Sequence, residues 1–306
     1  MSLIKRSNTT DNGDFPSQQY NLESHDGIVF TCKFSPDGDI IASGGMDQTI
    51  QLWTLPHSST DPSNYGELRG HKSAVTTLSW LNNGNIVSGS ADTTIGLWDP
   101  ETGTKIRNFK GHELVINEID VDNDKIVSAS DDGSLKIWDS NTKTFIHNFK
   151  TDYPLLSAQF QQNLVFTSGI EPVIHSWDIR STSEPLFELE THHTDTITSL
   201  SYSEGQLISK SNDNTIRSYS LTLPNLRINS QVYTGVVSSD SLLQRCLLRD
   251  NLIYSGSSDK TITTFEVTSG KLLEKINGHT GAVLGVDEHQ GKLVSFGVDG
   301  VILRYL

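Results

Sequence analysis

The segment Ser88–Trp98, which reads SGSADTTIGLW, decides the fold because variants of it recur along the chain. Its pattern is a Ser or Thr, an acidic residue four positions later, an apolar residue three positions further on, and a closing aromatic. Seven copies fit this pattern, with closing aromatics at Trp53, Trp98, Trp138, Trp177, Tyr219, Phe265 and Tyr305. Intervals of 39 to 46 residues separate these aromatics, so the chain consists of seven similar units.

Each unit has the composition of a small antiparallel sheet. Short runs alternate apolar and polar residues, as in Val75–Trp80, and they end at Gly, Asn or Asp. This alternation is typical of half-buried strands joined by turns. A sheet of about 40 residues cannot bury both of its faces alone, so neighbouring units must stack, and seven twisted sheets set radially close a ring.

The end of the last unit predicts how this ring closes. The chain stops at Leu306, directly after the seventh closing aromatic, which leaves no residues for an outer fourth strand in that unit. The segment around residues 19–23 is the expected donor of this strand. We therefore predict a disordered tail over residues 1–18 and one all-β domain over residues 19–306, a seven-bladed propeller closed by an N-terminal strand.

Charge and cysteine content limit the classes of function. The 306 residues carry 23 Lys and Arg against 37 Asp and Glu, a net charge of -14. A broad basic face for nucleic-acid phosphates is not expected. The two cysteines, Cys32 and Cys246, are too few for a zinc site or a disulfide framework and predict buried, inert thiols in a reducing compartment. No run of about 18 apolar residues and no apolar signal segment occurs, so we expect a soluble, non-secreted protein without a membrane partner.

A histidine precedes five of the copies, and together with the closing Trp-Asp pairs it identifies a family. Gly70-His71 pairs with Trp98-Asp99, and Gly111-His112 pairs with Trp138-Asp139. These motifs resemble the WD40 repeat over nearly the whole chain. The resemblance implies a buried network in which the turn Asp accepts a hydrogen bond from the His, while the Ser and the Trp indole extend the network. Its expected members are His25, Asp47, Trp53, His71, Ser88, Asp92, Trp98, His112, Ser128, Asp132, Trp138, His193, Asp213, His279 and Asp299.

Catalytic readings of the same residues are disfavoured by their repetition. A Ser-His-Asp nucleophilic triad occurs once in an enzyme, whereas this set recurs in full or in part in every unit. The repeat histidines belong to different blades and cannot converge on a metal. No phosphate-binding GxxxxGK[ST] loop is present. We therefore predict no enzymatic activity, no cofactor, no metal and no small-molecule substrate.

The remaining functional candidate is the mouth of the ring. WD40 proteins commonly bind partners at the top face, which is built by the loops entering each first strand and by the turns joining the second and third strands. Aromatic, Met and Arg residues are favoured at interface cores. Repeat equivalence predicts a partner-binding rim at Phe30, Met46, Asn117, Asp131, Ile170 and Arg245, with Arg245 as a lone cation. Two longer connections, residues 54–67 and 221–242, are further docking candidates.

Several departures from the general repeat narrow the resemblance. The fourth unit replaces its Gly-His by Thr151–Leu156, the sixth has Leu242-Leu243 followed by Arg245-Cys246, and the last stops early. Together these features resemble the WD-repeat subunit of the spliceosomal U5 small nuclear ribonucleoprotein. That resemblance implies a nuclear, monomeric scaffold of pre-mRNA splicing that contacts the largest U5 protein and other spliceosomal proteins, and reaches U5 RNA only through protein. The alternative is a WD40 adaptor of another complex, such as a ubiquitin-ligase substrate receptor.

Overall fold

The computed structural model describes residues 19–55, 61–180, 184–220, 231–239 and 242–305. In this part of the chain 28 strands form seven four-stranded antiparallel sheets, and there is no helix. The predicted seven-bladed β-propeller is confirmed. The expected disordered tail, residues 1–18, lies outside the described residues, as does most of the 221–242 connection.

Blades one to four are each built from four consecutive strands. Blade one contains β2 (Val29–Phe34), β3 (Ile40–Gly45), β4 (Thr49–Thr54) and β5 (Ser63–Arg69). Blade two contains β6 (Val75–Trp80), β7 (Ile86–Ser90), β8 (Thr94–Asp99) and β9 (Thr104–Lys110). Blade three contains β10 (Ile116–Asp122), β11 (Lys125–Ser130), β12 (Ser134–Asp139) and β13 (Phe145–Lys150). Blade four contains β14 (Leu155–Gln161), β15 (Leu164–Gly169), β16 (Val173–Asp178) and β17 (Phe187–Glu190).

The last three blades follow the same order until the ring closes. Blade five contains β18 (Ile197–Ser203), β19 (Gln206–Ser211), β20 (Thr215–Ser220) and β21 (Gln231–Thr234). Blade six contains β22 (Cys246–Arg249), β23 (Leu252–Gly256), β24 (Ile262–Glu266) and β25 (Leu272–Ile276). Blade seven contains β26 (Val283–His289), β27 (Lys292–Gly297), β28 (Gly300–Tyr305) and, from the other end of the described chain, β1 (Gln19–Leu22).

The first strand closes the ring as predicted. β1 pairs antiparallel with β28, with Gln19 opposite Arg304 and Leu22 opposite Val301. Tyr20 and Leu22 pack into an apolar cluster shared by blades seven and one. The predicted closure by an N-terminal strand is confirmed, and pairing of the two distant segments leaves blade seven with the same four strands as the others.

The acidic residue of each repeat shapes the turn between the second and third strands. In blade two the Asp92 carboxylate accepts hydrogen bonds from the Thr94 N–H at 3.0 Å and from the Thr94 hydroxyl at 2.7 Å. The residue between them, Thr93, has a φ of 69°, in the left-handed region, and side-chain bonds across a turn stabilise that conformation. In blade four Pro172 follows the acid, Glu171, and its ring holds φ negative, so this turn has a different form.

Side-chain hydrogen bonds join the first strands of adjacent blades around the central channel. Thr31 accepts from the Leu78 N–H at 3.2 Å, and Thr77 accepts from the Ile119 N–H at 3.1 Å. The same arrangement recurs for Asp120 with Phe160, Ser157 with Leu200, Ser199 with Cys246, and Asp287 with Phe34. Because these bonds satisfy backbone groups that face the channel, the strands lining it are held in register.

The hydrophobic core lies between the sheets. A representative cluster joins Ile50, Leu52 and Leu68 of blade one to Val75 and Trp98 of blade two. Fully burying a side chain of this size contributes roughly 1.5–3 kcal/mol, so each blade depends on its neighbour for its stability. Cys32 and Cys246 are buried free thiols, and burial raises the pKa of both.

Candidate functional site

Blade two contains the complete polar network of the repeat. The His71 Nδ1 lies 3.0 Å from the Asp92 carboxylate, and its Nε2 lies 2.7 Å from the Ser88 hydroxyl. The Trp98 indole donates to the same hydroxyl at 2.7 Å. The chain of bonds runs from the turn at the top of the blade to the closing aromatic in its third strand. A network whose members are all satisfied in this way stabilises a buried site.

Four other blades repeat the His, Ser and Asp bonds. His112 bonds to Asp132 and Ser128, and the Trp138 indole donates to Ser128 at 2.8 Å. The remaining sets are His25 with Asp47 and Ser43, His193 with Asp213 and Ser209, and His279 with Asp299 and Ser295. In blade five the Tyr219 hydroxyl replaces the indole, 3.2 Å from Ser209.

Trp53 departs from the predicted network. Its indole N–H is buried without a hydrogen-bond partner among the described residues, although His25 is 2.8 Å from Ser43. Trp53 therefore stabilises blade one through apolar packing alone. The expectation that its N–H extends the network is corrected. The repeat pattern specifies the ring at this position but does not determine whether its N–H reaches the serine.

The two blades without the histidine use different substitutes. In blade four the Tyr153 hydroxyl lies 3.0 Å from the His175 Nε2, and Trp177 donates to Thr167 at 2.8 Å. In blade six Lys210, which reaches across from blade five, donates to the Ser255 hydroxyl at 2.9 Å and to the Gly256 carbonyl at 2.6 Å. The sequence contained a sign of the second substitute, because Lys210 occupies a position that is Gly or Ala in the first three repeats.

The electrostatics of these sites are those of structural groups. Burial alone would raise the pKa of Asp92, but hydrogen bonds from His71, the Lys72 N–H and Thr94 hold it well below its usual range. Burial lowers the pKa of His112 and of His193 despite their aspartate partners. The carboxylates therefore stay ionised at neutral pH and are fully committed within their own blades, which suits a stabilising role.

We expect Asp92→Asn to destabilise the domain by about 1–3 kcal/mol at pH 7, since it weakens several buried bonds. The folded-state pKa of Asp92 is depressed, so its contribution is present above the unfolded pKa near 4 and is lost as pH falls below it. The difference in unfolding free energy between the wild type and the variant should therefore become smaller at low pH. Urea unfolding at pH 7 and pH 3 measures this, and an exposed-site control, Asp26→Asn, should show neither effect. A deficit that does not change with pH would contradict the assignment.

The top face carries exposed apolar side chains around the channel mouth. Met46 and Ile170, both predicted rim residues, are 58% and 51% exposed. Phe30 is half-buried and packs against the cluster shared by blades seven and one. Leu114 and Val298 are also exposed on top-face loops, and Leu114 was not among the predicted rim residues. Exposed apolar groups at a rim are a common feature of protein-binding surfaces.

Two of the predicted rim residues face each other instead of solvent. The Asn117 amide is buried and donates to the Asp131 carboxylate at 2.6 Å and to the Leu155 carbonyl at 2.9 Å. Asp131 is half-buried. The expectation that Asn117 offers its side chain to a partner is therefore corrected, because Asp131 of its own blade and Leu155 of the adjacent blade already accept its hydrogen bonds.

Arg245 is not the lone exposed cation that repeat alignment predicted. Its side chain is only 14% exposed and crosses the channel from blade six to blade three, where it lies 2.5 Å from the Glu118 carboxylate. It also donates to the Asn117 carbonyl at 2.8 Å and to the Thr76 carbonyl at 3.2 Å. Sequence reasoning missed this pair because residues 118 and 245 are far apart in the chain and only ring closure brings them together.

A cavity of about 540 Å³ extends along the first strands from Arg245 towards the opposite face. Its charged lining includes Lys33, Glu118, Asp120 and Asp287. Burial raises the pKa of Asp120 to about 6, while Lys33 lies 3.3 Å from Asp287. In the described parts of the chain, no group of three or more His, Cys, Asp or Glu side chains is arranged to hold a metal ion, and no helix could span a membrane.

Comparisons with known proteins agree with this architecture. Residues 2–158 match the family described as the TEP-1 second beta-propeller. The chain is 35% identical over 277 residues to pre-mRNA-splicing factor cwf17 of Schizosaccharomyces pombe, a match that covers 87% of this chain and 80% of that protein. It is 32% identical over 177 residues to the U5 small nuclear ribonucleoprotein 40 kDa protein of Dictyostelium discoideum, covering 56% of this chain and 49% of that protein.

A third relative matches over a shorter stretch. Telomerase protein component 1 of Mus musculus is 35% identical over 98 residues, which is 32% of this chain and 4% of that protein. The match to cwf17, in contrast, extends over most of both chains, and the seven-bladed ring accounts for nearly all of the described residues. The chain therefore belongs to the WD40-repeat β-propeller family that includes the splicing proteins cwf17 and U5 40 kDa.

Proposed function

We propose that this chain is a non-enzymatic protein scaffold of pre-mRNA splicing and a component of the U5 small nuclear ribonucleoprotein. The observation that carries the proposal is the 35% identity to a pre-mRNA-splicing factor across 80% of that factor's length. The place of action is then the nucleus.

The internal chemistry of the blades supports a scaffold. The Ser, His and Asp side chains that resemble a catalytic set are buried in separate blades, and each set completes its hydrogen bonds internally. Arg245 and Glu118 pair with each other across the channel mouth. Such groups hold the ring rigid, which leaves the surface to bind partners.

The top face is the proposed contact for the largest U5 protein. Met46 and Ile170 stand on turns of blades one and four, at different sectors of the rim, with Leu114 and Val298 between them around the ring. Burying such side chains against a partner contributes to affinity in proportion to the apolar area removed from water. With a net charge of -14, the chain is expected to reach U5 RNA through this protein partner and not by direct phosphate contacts.

Affinity purification from nuclear extract tests this proposal. The tagged wild-type chain should recover the largest U5 protein and U5 RNA through a salt wash, and the RNA should be lost when the protein partner is stripped away. The variant Met46→Asp with Ile170→Asp should fold normally and recover both about tenfold less well, because two apolar contacts are replaced by desolvated charges.

A matched control separates the top face from apolar exposure in general. Val232→Asp changes an exposed apolar residue on the outer strand of blade five, so its recovery of U5 components should equal that of the wild type. Failure of the wild-type chain to recover either component would reject the splicing assignment. Full recovery by the double variant would reject the top face as the contact while leaving the assignment in place.

A further inference from the structure

The outer strands of blades one, two and three share a surface feature that the repeat pattern does not require. Each contains a β-bulge opposite the closing tryptophan, and the extra residue is Tyr65 in β5, Ile106 in β9 and Ile146 in β13. These three side chains are 43%, 47% and 49% exposed. Because the bulges occur at the same register of adjacent blades, the three apolar groups form a row along the side of the ring.

A cation stands four residues after each of these apolar groups. Arg69, Lys110 and Lys150 are all exposed at the top ends of the same strands. Arg69 is paired with Glu67 at 2.8 Å, whereas no ion pair involves Lys110 or Lys150 in the described structure. Neither β9 nor β13 contains an Asp or a Glu. In contrast, β17 of blade four contains two glutamates and no cation.

The surface formed by these outer strands is basic, although the protein as a whole is acidic. The chain as a whole carries a net charge of -14, so a basic wall with unpaired lysines attracts acidic partners that the remaining surface repels. Each of the three blades adds one exposed apolar group and one cation at equivalent positions, so the same combination repeats along this side of the ring. The combination calls for a partner that offers both carboxylates and apolar side chains.

The bulges also restrict how such a partner binds. An extra residue disrupts the regular spacing of hydrogen-bonding groups along an outer strand and discourages another strand from adding to it. Docking must then use side chains. Single-stranded nucleic acid stacks successive bases on aromatic side chains, and Tyr65 is the one aromatic among these three bulge residues, so the two isoleucines favour a protein.

We propose that this outer wall, defined by Tyr65, Ile106, Ile146, Arg69, Lys110 and Lys150, binds an acidic segment of a partner protein that presents aliphatic or aromatic side chains. The apolar groups of the segment pack on the row of bulge residues, and its carboxylates pair with Lys110 and Lys150. The proposal deepens the scaffold function on which it rests, since it gives the ring a second contact on the side, separate from the top face.

Site-specific photo-crosslinking tests the wall in cells that produce the tagged full-length chain. The photoreactive residue p-benzoylphenylalanine replaces Ile146, and mass spectrometry identifies the crosslinked peptides. The control position is Leu273, an equally exposed residue at the equivalent bulge of blade six, where Glu274 follows it. We expect position 146 to crosslink to a segment of another protein with more Asp and Glu than Lys and Arg, at least about tenfold more than position 273.

A charge-reversal variant makes the test specific. Lys110→Glu with Lys150→Glu should reduce the crosslink at position 146 about tenfold while the unfolding curve is unchanged, because both side chains are exposed. Met46→Asp with Ile170→Asp should leave the crosslink in place. Crosslinks that go only to RNA, to a second copy of this chain or to a basic segment, equal crosslinking at both positions, or no crosslink would each overturn the proposal.

The two proposals fail separately. Recovery of U5 components without a crosslink to an acidic segment would retain the splicing scaffold and reject the wall. An acidic crosslink at position 146 without U5 components would retain the wall and reject the splicing assignment.

Discussion

Replacing Arg245 by alanine is expected to lower the free energy of unfolding by about 3–5 kcal/mol, the usual effect of removing one partner from a buried ion pair. The Glu118 carboxylate is only 9% exposed and would remain in the channel without its cation. Burial raises the pKa of Glu118, while Arg245 opposes that shift. In the variant the carboxyl group should therefore take up a proton more readily, and the deficit should shrink as pH falls from 7 to 5.

Urea unfolding of three variants measures this effect. Arg245→Met with Glu118→Leu removes both charges and should recover most of the lost stability, since buried pairs often contribute little net stability relative to apolar replacements. Arg249→Ala is the matched control, because Arg249 also lines the channel but is 45% exposed and lies 3.5 Å from Glu288. We expect it to cost less than about 1 kcal/mol. An Arg245→Ala deficit no larger than this control would show that the crossing pair does not stabilise the ring.

Replacing Lys210 by methionine is expected to remove a pH dependence of about 3 kcal/mol from the stability of the domain. Lys210 is fully buried, and burial lowers its pKa to about 8 from an ordinary value of 10.5. Between these values the unfolded chain binds more protons than the folded chain, so rising pH stabilises the wild type. This gain in the free energy of unfolding is complete above pH 10.5, and it is lost as pH falls from 10.5 to about 8.

The difference in unfolding free energy between wild type and Lys210→Met isolates this group from others that titrate at alkaline pH. It should increase in favour of the wild type as pH rises from 8 to 10.5 and remain level below pH 8. Lys260→Met, which removes an exposed lysine from the turn of blade six, is the matched control and should give a level difference throughout. A level difference for Lys210→Met as well would mean that the buried ammonium is already neutral or is solvated in the folded state.

Periodicity explains why the fold could be predicted so completely. Every blade buries its residues against two neighbours in the same way, so the same positions recur, as Trp98 in blade two and Trp138 in blade three show. Local turn chemistry recurs with them, because Asp92 and Asp132 each cap their own turn two residues ahead. These packing and turn requirements select similar residue types from one repeat to the next, so the sequence shows them directly.

The candidate binding surface was less predictable, because repeat equivalence gives the position of a residue on its blade but not the side chains that pack beside it. Met46 is at the rim and exposed, as expected from its turn, whereas Asn117 is at the rim and buried against blade four. The exposed row of Tyr65, Ile106 and Ile146 depends on bulges that shift the register of the outer strands. A one-residue shift changes the face on which a side chain lies.

The sequence by itself determined the number of blades, the strands within each blade, the closing role of β1 and the repeated His, Ser and Asp contacts, because all of these follow from local periodic patterns. Only the tertiary structure decided which charges meet across the ring. Arg245 reaches Glu118, 127 residues away, and Lys210 enters blade six to hold Ser255. Each contact occurs once: the first depends on closure of the whole ring and the second on the stacking of blades five and six, so no repeated pattern records either pair.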